Sequence, residues 1–164
     1  MKTLGKIIVG ILACLVLALL VLRVTGLDPK ERRPGLWLTG DVVTTPVADW
    51  SFSDKYPKIM IQTRTWYLLP HSVTISFVCY KGQLYLHTVF TKGMPFPSGR
   101  SWTASLIRDP HVRIKIGNQL FDRTAILVTD PAEIAGVMDA RAIKTPDVKH
   151  PSDSTTYWFH VLPE

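Results

Sequence analysis

A chain of 164 residues, 46% of them hydrophobic, has room for one folded domain and a short appendage. Its formal net charge of +6 is unevenly spread along the sequence. Residues 1–33 carry six lysines and arginines against two acidic residues, whereas residues 34–164 carry thirteen against eleven. Nucleic-acid binding requires a concentrated basic face, so the nearly neutral remainder argues against a nucleic-acid partner. The two cysteines, Cys14 and Cys79, are too few for a cysteine-based metal site.

The sixteen residues 7–22 contain no charged or strongly polar side chain and lie between Lys6 and Arg23. Extended through Val24, this run reaches the roughly 17–25 residues that span a bilayer, and it predicts an uncleaved transmembrane anchor. A cleaved signal peptide is the alternative, because a short charged segment precedes the run, although no good small-residue cleavage site follows it. Cys14 lies in the middle of the apolar run, which argues against lipoprotein processing there.

The anchor divides the chain into a transmembrane helix (1–24), a polar Pro/Gly linker (25–35) and a folded domain (36–164). It implies a single-pass protein of the bacterial inner membrane that contacts lipid through residues 7–24. Four basic residues near the end of the span are suited to anionic lipid head groups: Arg23, Lys30, Arg32 and Arg33. The excess of basic residues after the span favours a cytoplasmic domain, whereas the short N-terminal tail favours an exported one. Both topologies stay open.

Beyond the linker, apolar and polar residues alternate with the period of two that predicts β-strands. We expect strands over residues 36–43, 59–69 (interrupted or bent near Arg64), 74–80 and 83–89. The last two form a hairpin around Lys81-Gly82, with Ile75, Phe77 and Cys79 on one face and Leu84 and Leu86 on one face. Residues 91–99 are rich in Pro and Gly and predict a loop.

A short helix follows, capped by Ser98 or Ser101 and running to about Arg108, with Trp102, Ser105 and Leu106 facing inward. Asp109-Pro110 ends it, because the residue before a proline is pushed out of the helical region. Strands are then predicted over residues 112–116 and 119–128, joined by Gly117-Asn118. A second helix opens at Pro131 and runs to about residue 143. A polar loop (145–154) leads to a last strand (155–162). Six or seven strands with two short helices predict a mainly β fold with minor α, a split antiparallel β-barrel preceded by one transmembrane helix.

Several common catalytic and metal-binding patterns are absent from the sequence. The five histidines His71, His87, His111, His150 and His160 show no metal-ligand spacing, so we predict no metal site. No Gly-x-Ser-x-Gly nucleophile elbow is present. No Gly-x-Gly-x-x-Gly follows a predicted strand, which excludes a Rossmann nucleotide site.

Four segments within residues 59–162 carry a family resemblance: LLPHSVTISFVCYKGQLYLHT, GRSWTASLIRDP, VRIKIGNQLFDR and the closing aromatic strand YWFHVL. Together they resemble the FMN-binding split barrel superfamily, which contains pyridoxamine-phosphate oxidases and deazaflavin-dependent nitroreductases. The resemblance implies a homodimer of barrels with FMN or a deazaflavin in a groove at the subunit interface. Together with the predicted anchor, the resemblance implies a membrane-anchored oxidoreductase that acts on a small organic acceptor.

The resemblance places the cofactor site at the ends of the hairpin strands and at the following helix, on His71, Ser72, Thr74, His87, Thr88, Lys92, Arg100, Ser101 and Trp102. Arg100, Lys92 and Ser101 offer a phosphate its cationic and hydroxyl partners beside a helix N-terminus. Thr74, Thr88 and Trp102 would orient the ring. No catalytic residue is assigned.

Each of these residues also has a structural interpretation. Trp102 lies at helical spacing from Leu106 and suits a core anchor, while His87 is either exposed or turned toward a groove. The Thr63-Arg64-Thr65 segment lacks the glycines of the corresponding segment in the deazaflavin enzymes. The second hypothesis is therefore a non-catalytic split barrel on a membrane stalk, which binds haem or another ligand, or a protein.

Overall fold

The structure is a computed structural model that describes residues 2–146 and 151–162. The helices are α1 (Lys2–Thr25), α2 (Ser101–Arg108) and α3 (Pro131–Lys144), with a 3-10 helix over Ser51–Lys55. The strands are β1 (Asp41–Val42), β2 (Ile59–Arg64), β3 (Pro70–Ile75), β4 (Phe77–Tyr80), β5 (Gln83–Phe90), β6 (His111–Ile116), β7 (Gln119–Leu127) and β8 (Thr155–Val161). The predicted class, mainly β with minor α, is confirmed.

Seven strands form one curled antiparallel sheet in the order β3-β2-β6-β7-β8-β5-β4, and β1 adds a short parallel pairing to β7. The two strands at the ends of this order, β3 and β4, are consecutive in the chain and separated only by Ser76. The sheet therefore curls until the chain itself joins its two ends. Strand β7 pairs with β6 from Gln119 to Thr124 but with β8 only from Ala125 to Leu127, so the barrel is split along β7.

The barrel interior is filled by alternate residues of the strands, as the period of two requires. Buried apolar side chains on this face include Ile61, Phe77, Leu86, Ile114 and Phe159. Helix α2 packs against one end of this core through Trp102 and Leu106, and the Trp102 ring lies 5.8 Å from that of Phe159. The inward face predicted for this helix is confirmed.

A second, smaller core lies outside the barrel, between the β4-β5-β8 face and α3. It contains Val78, Tyr85, Val137 and Trp158. The Asp130 side chain begins α3 by accepting hydrogen bonds from two backbone N–H groups of its first turn, and Pro131 occupies the first helical position. Both faces of β4 and β5 are thus covered.

Two of the predicted strands, 36–43 and 74–80, differ from the structure. The expected strand over residues 36–43 reduces to Asp41–Val42, because backbone N–H groups before it donate to the side chains of Gln62 and Asp28 instead of a ladder. The strand expected over 59–69 is interrupted at Arg64, as predicted, because the Thr65 backbone N–H and hydroxyl both donate to the Leu69 carbonyl and close a turn.

The strand expected over 74–80 is broken at Ser76, where the chain passes from β3 to β4. The cap predicted for α2 is also wrong: the N-cap residue is Arg100, and its side chain makes no capping hydrogen bond. By contrast, the hairpin at Lys81-Gly82 is confirmed. Both of its residues have positive φ, 51° and 76°, as a two-residue turn between antiparallel strands requires.

Residues 26–39, which we call the strap, lie across the barrel. Backbone hydrogen bonds of 2.8 Å join Leu27 to Trp37 and to Leu36, and Gly35 pairs with Ser72 of β3 in both directions. The Asp28 carboxylate forms an ion pair with Lys115 of β6. Most of the predicted linker therefore has defined contacts, while the division into anchor, linker and barrel domain stays a prediction.

Helix α1 precedes the strap and is exposed over its length. By length and composition, Thr3–Thr25 can cross a membrane, a property that N-terminal signal sequences share. None of its most apolar window is buried against the barrel. The helix is therefore a candidate anchor.

Candidate functional site

The strap, β3, β5 and the start of α2 enclose a groove of about 660 Å³, which we call the basic groove. Its lining includes Glu31, Arg32, Arg33, Lys58, Thr74, Ser76, His87, Thr88, Val89, Arg100 and Trp102. Five of the nine residues predicted to hold a cofactor are among them: Thr74, His87, Thr88, Arg100 and Trp102. Their convergence follows from strand geometry, because β3 continues into β4 and β4 pairs with β5.

The basic groove carries an excess of positive charge. Arg32, Arg33, Lys58 and Arg100 line it, and within the described part of the chain Glu31 is the one acidic residue that does so. Cations crowded around a concave surface attract anions and offer charge-assisted hydrogen bonds. The charge therefore favours a phosphate or carboxylate ligand.

The Arg100 guanidinium is held in place at the edge of the groove. Its Nε and Nη2 atoms donate to the backbone carbonyl of Val89, at 3.2 and 2.9 Å, and its Cζ atom lies 5.9 Å from the centroid of the Phe90 ring. This carbonyl occupies only part of the donor capacity of an arginine, which has five N–H groups. A positioned guanidinium with remaining donors is suited to an anionic group.

Trp102 and Thr88 belong mainly to the barrel interior. Trp102 is 6% exposed and Thr88 is 4% exposed, so each offers only a small surface to the groove. His87 lies on the opposite face of β5, in register with Trp158 of β8, and the two rings are 4.9 Å apart. It is half-buried and is among the residues that line the groove.

The other four predicted residues lie elsewhere. His71 and Ser101 form a hydrogen bond of 2.9 Å with each other, and neither lines the basic groove. Ser72 is fully buried beneath the strap at its pairing with Gly35. Lys92 is exposed in the loop between β5 and α2.

The sequence interpretation did not assign Arg32, Arg33 or Lys58 to a cofactor site. The Arg32-Arg33 pair was visible in the sequence, but its position after the apolar run suggested lipid head groups. Contacts of the strap with the barrel, such as the pairing of Gly35 with Ser72, bring it to the groove, and they join residues far apart in sequence. Lys58 carries no recognisable signal beyond its charge.

A second cavity of about 920 Å³, which we call the anchor-side cavity, lies against β2, β6 and β7. It is bordered by Arg23 of α1, Trp37 of the strap, and the β2-β3 turn. Arg113 and Asp122 close part of it with two hydrogen bonds of 2.7 Å. These bonds hold the pKa of Asp122 below its usual range. Thr63 and Arg64, the nearest match to the deazaflavin-enzyme segment, line this cavity and not the basic groove.

A buried polar cluster lies under α3, away from both cavities. The Tyr85 hydroxyl donates to Glu133 at 2.7 Å, His160 Nδ1 lies 3.3 Å from the same carboxylate, and the Tyr85 and His160 rings stack at 4.6 Å. Burial, followed by the hydrogen bond to Glu133, raises the pKa of Tyr85. Burial lowers the pKa of His160, which the negative charge of Glu133 offsets in part.

We expect the free energy of unfolding to decrease as the pH falls below about 6.5, the usual histidine pKa. Burial lowers the pKa of both His71 and His160 in the folded chain, so the unfolded chain binds more protons under acid conditions. Urea unfolding at several pH values would measure this, and His71→Gln and His160→Gln should each reduce the pH dependence. An unchanged dependence in both variants would contradict the assignment.

Among residues 2–146 and 151–162, no group of three or more His, Cys, Asp or Glu side chains could hold a metal ion. His150, one of the five histidines considered above, lies outside these described residues.

No protein-family model matches the chain, and no curated protein matches its sequence. Solved structures do match its fold. HutZ, the haem storage protein from Vibrio cholerae, is similar with a TM-score of 0.53 and 15% identity, over 69% of this chain and 85% of HutZ. The conserved hypothetical protein Rv2991 from Mycobacterium tuberculosis has a TM-score of 0.52 and 13% identity, over 82% and 86% of the two chains.

A candidate pyridoxamine 5′-phosphate oxidase from Listeria innocua has a TM-score of 0.50 and 16% identity, over 70% of this chain and 89% of that one. These similarities establish the fold. The chain has the split-barrel architecture of the pyridoxamine-phosphate-oxidase-like structures, as the sequence resemblance implied.

Proposed function

We propose that this chain is a membrane-anchored split-barrel protein that binds a flavin-type cofactor, FMN or a deazaflavin, and acts as an oxidoreductase on a small organic acceptor. One observation carries the proposal: five residues implied by the resemblance share a single groove with three further cationic residues. Its volume of about 660 Å³ lies within the roughly 300–1,000 Å³ of small-molecule sites.

The donor set of the basic groove fits a phosphorylated ligand. Arg33, Lys58 and Arg100 provide cationic donors for the phosphate, and the hydroxyls of Thr74 and Thr88 provide neutral ones. A flavin or deazaflavin supplies the hydride or electron transfer itself. The chain would bind the phosphate, orient the ring and leave the acceptor a path to it.

The fold comparisons support a ligand-binding barrel in general terms. One similar structure is described as a candidate pyridoxamine 5′-phosphate oxidase and another as a haem storage protein. Homodimerisation, implied by the resemblance, would place a second copy beside the groove. Residues 7–24 of α1 would hold the assembly in the membrane.

A haem-binding or protein-binding barrel without catalytic activity is the second candidate. It is favoured by the similarity to HutZ and by His87, a residue type that binds haem iron, in the lining of the groove. The two candidates differ in the chromophore that the purified protein should bind.

The test is to purify the full chain in detergent, record its visible spectrum, and titrate FMN and a deazaflavin by fluorescence quenching. Under the flavin proposal, FMN binds at micromolar concentration and Arg100→Ala weakens this binding about tenfold or more, because a charge-assisted hydrogen bond is lost. Lys92→Ala removes an exposed cation outside the groove and should leave the affinity unchanged.

The outcomes separate the candidates. Unchanged affinity in Arg100→Ala would remove Arg100 from the site. A Soret band that His87→Ala abolishes would establish the haem-binding alternative. A colourless protein that binds neither flavin would leave the protein-binding barrel as the function.

A further inference from the structure

The β2-β3 hairpin ends in three consecutive exposed apolar residues, Trp66, Tyr67 and Leu68, which we call the hairpin tip. Their exposed fractions are 79%, 53% and 75%. The Trp66 and Tyr67 rings meet edge to face at 5.3 Å. Burial of apolar side chains stabilises a protein in proportion to the area removed from water, so three large apolar side chains left together in water forgo a substantial stabilisation. A patch of this kind indicates an interaction surface.

The turn that presents the tip is held in one conformation. Thr65 joins Leu69 through its backbone N–H at 3.0 Å and its hydroxyl at 2.6 Å, and the Leu68 N–H donates to the Thr65 carbonyl at 3.1 Å. Leu68 has φ of 64°, a left-handed conformation that is costly for a residue with a branched side chain. The folded chain therefore holds the apolar side chain of Leu68 in an exposed position although its backbone conformation there is unfavourable.

The tip lies on the side of the barrel where α1 approaches it. Leu68 lines the anchor-side cavity together with Arg23, which is in the last turn of α1. The helix ends at Thr25, and the next residue, Gly26, lies beside Thr39 of the strap. The end of the candidate membrane span and the hairpin tip thus border one cavity.

Basic residues surround the tip. Arg64, whose side chain is 65% exposed, immediately precedes the turn, and the Arg108 guanidinium donates to the Arg64 backbone carbonyl. The nearby acid, Asp109, lies 2.7 Å from His111 and 4.0 Å from the Arg64 guanidinium. The hydrogen bond from His111 contributes most to holding the pKa of Asp109 below its usual range. With Arg23, the surface has a surplus of positive charge, which is complementary to anionic lipid head groups.

We infer that the hairpin tip docks in the head-group region of the bilayer that α1 enters, with Trp66 and Tyr67 at the interface and Arg23 and Arg64 on anionic phosphates. Tryptophan and tyrosine are enriched at this depth because their rings are amphipathic. The inference rests on the proposed membrane anchor. It gives the barrel a second membrane contact, which fixes its orientation relative to the bilayer.

The test uses the full chain in liposomes that contain phosphatidylglycerol, with an environment-sensitive fluorophore on single cysteines and lipids that carry a quencher at a shallow or a deep position. Native Cys14, in a Cys79→Ala background, reports on α1. Tyr67→Cys, with Cys14→Ala and Cys79→Ala, reports on the tip. Gln119→Cys in the same cysteine-free background is the matched control. It is exposed at the β6-β7 turn, at the other end of β2 and β6 from the tip.

We expect the shallow quencher to reduce emission from position 67 most, the deep quencher to reduce emission from Cys14 most, and neither to affect position 119. Replacing phosphatidylglycerol by phosphatidylcholine, or Arg64 by Gln, should weaken quenching at position 67. Quenching at Cys14 without quenching at position 67 would overturn the docking of the tip and retain the anchor. Blue-shifted but unquenched emission at position 67 would assign the tip to a second copy and also overturn it. No quenching at Cys14 would overturn the anchor, and the inference with it.

Discussion

Replacing Trp50 with alanine is expected to lower the free energy of unfolding by about 3–5 kcal/mol, the usual cost of removing a large buried aromatic side chain. Trp50 is 1% exposed and closes the barrel next to the 3-10 helix. Its ring meets Phe121 edge to face at 5.1 Å and stacks on Phe52 at 5.9 Å. The guanidinium of the buried Arg123 lies 5.7 Å from the centroid of the same ring.

The cost should be large because several side chains pack on the Trp50 ring and the backbone at Trp50 is held in place. The Trp50 backbone N–H donates to Gly82 at 2.8 Å, which fixes the chain at this position. The cavity would also remove the aromatic surface beneath the Arg123 cation, which is then less well solvated by its surroundings. Urea unfolding of the full chain in detergent, followed by circular dichroism, would measure the change.

Trp66→Ala is the matched control for this prediction, since it removes the same side chain from an exposed turn. Its effect on the free energy of unfolding should lie within about 0.5 kcal/mol, as for surface substitutions in general. Equal effects of the two substitutions would contradict the burial of Trp50 in the barrel core.

The fold was predictable where the signal is local. Val112, Ile114 and Ile116 alternate with charged residues before Gly117-Asn118, and this hairpin forms as expected. Asp130 is the N-cap of α3 and Pro131 is its first helical residue, so the start of α3 was also predictable from the sequence. In each case the residues that determine the element lie within it.

The conformation of the strap, by contrast, was not predictable from the residues of the strap itself. Its order depends on contacts with distant residues, such as Asp28 with Lys115 and Gly35 with Ser72. Its composition, rich in charges, Pro and Gly, is also that of a flexible linker. The alternation in residues 36–43 suggested a strand, but their polar backbone groups find side-chain partners before a ladder can form.

The residues of the candidate site were likewise predictable only in part. The positions of Thr74, His87 and Thr88 follow from the resemblance and from hairpin pairing, so the sequence could suggest them together. Arg32 and Arg33 reach the groove only through the strap. Ser72 was placed in the site from its position in a strand, yet its side chain is buried beneath the strap. The strand pattern of a sequence indicates which residues are neighbours within the sheet. It does not indicate which other segment of the chain covers the surface of that sheet.

Gly35→Ala is the second substitution with a large expected effect, a loss of about 3 kcal/mol in the free energy of unfolding, at the upper end of the cost of overpacking. A Cβ atom at this position would lie 2.1 Å from the Leu27 carbonyl oxygen, 2.6 Å from Ser72 Oγ and 2.7 Å from the Pro29 nitrogen. Two of these three atoms belong to the backbone, so no side-chain rotation can relieve the contact. The strap must move away from β3.

Moving the strap should also expose its basic residues to protease. Trypsin cleavage after Lys30 and Arg32 is expected to be faster in Gly35→Ala than in the native chain under folding conditions, because the backbone bonds on both sides of the paired segment are lost. Gly5→Ala is the matched control, since its added Cβ would have no neighbour within 4 Å. Unchanged unfolding and unchanged cleavage would show that the strap does not pack on the barrel as described.

The same substitution connects the fold with the proposed site. If Arg32 and Arg33 hold a phosphate in the basic groove, a strap displaced at Gly35 carries them away from Arg100, which stays anchored to the Val89 carbonyl. FMN affinity should then fall in Gly35→Ala even at temperatures where the barrel remains folded by circular dichroism. A folded Gly35→Ala barrel with native affinity would separate the strap from ligand binding. The cationic contacts to the phosphate would then have to come from Lys58 and Arg100.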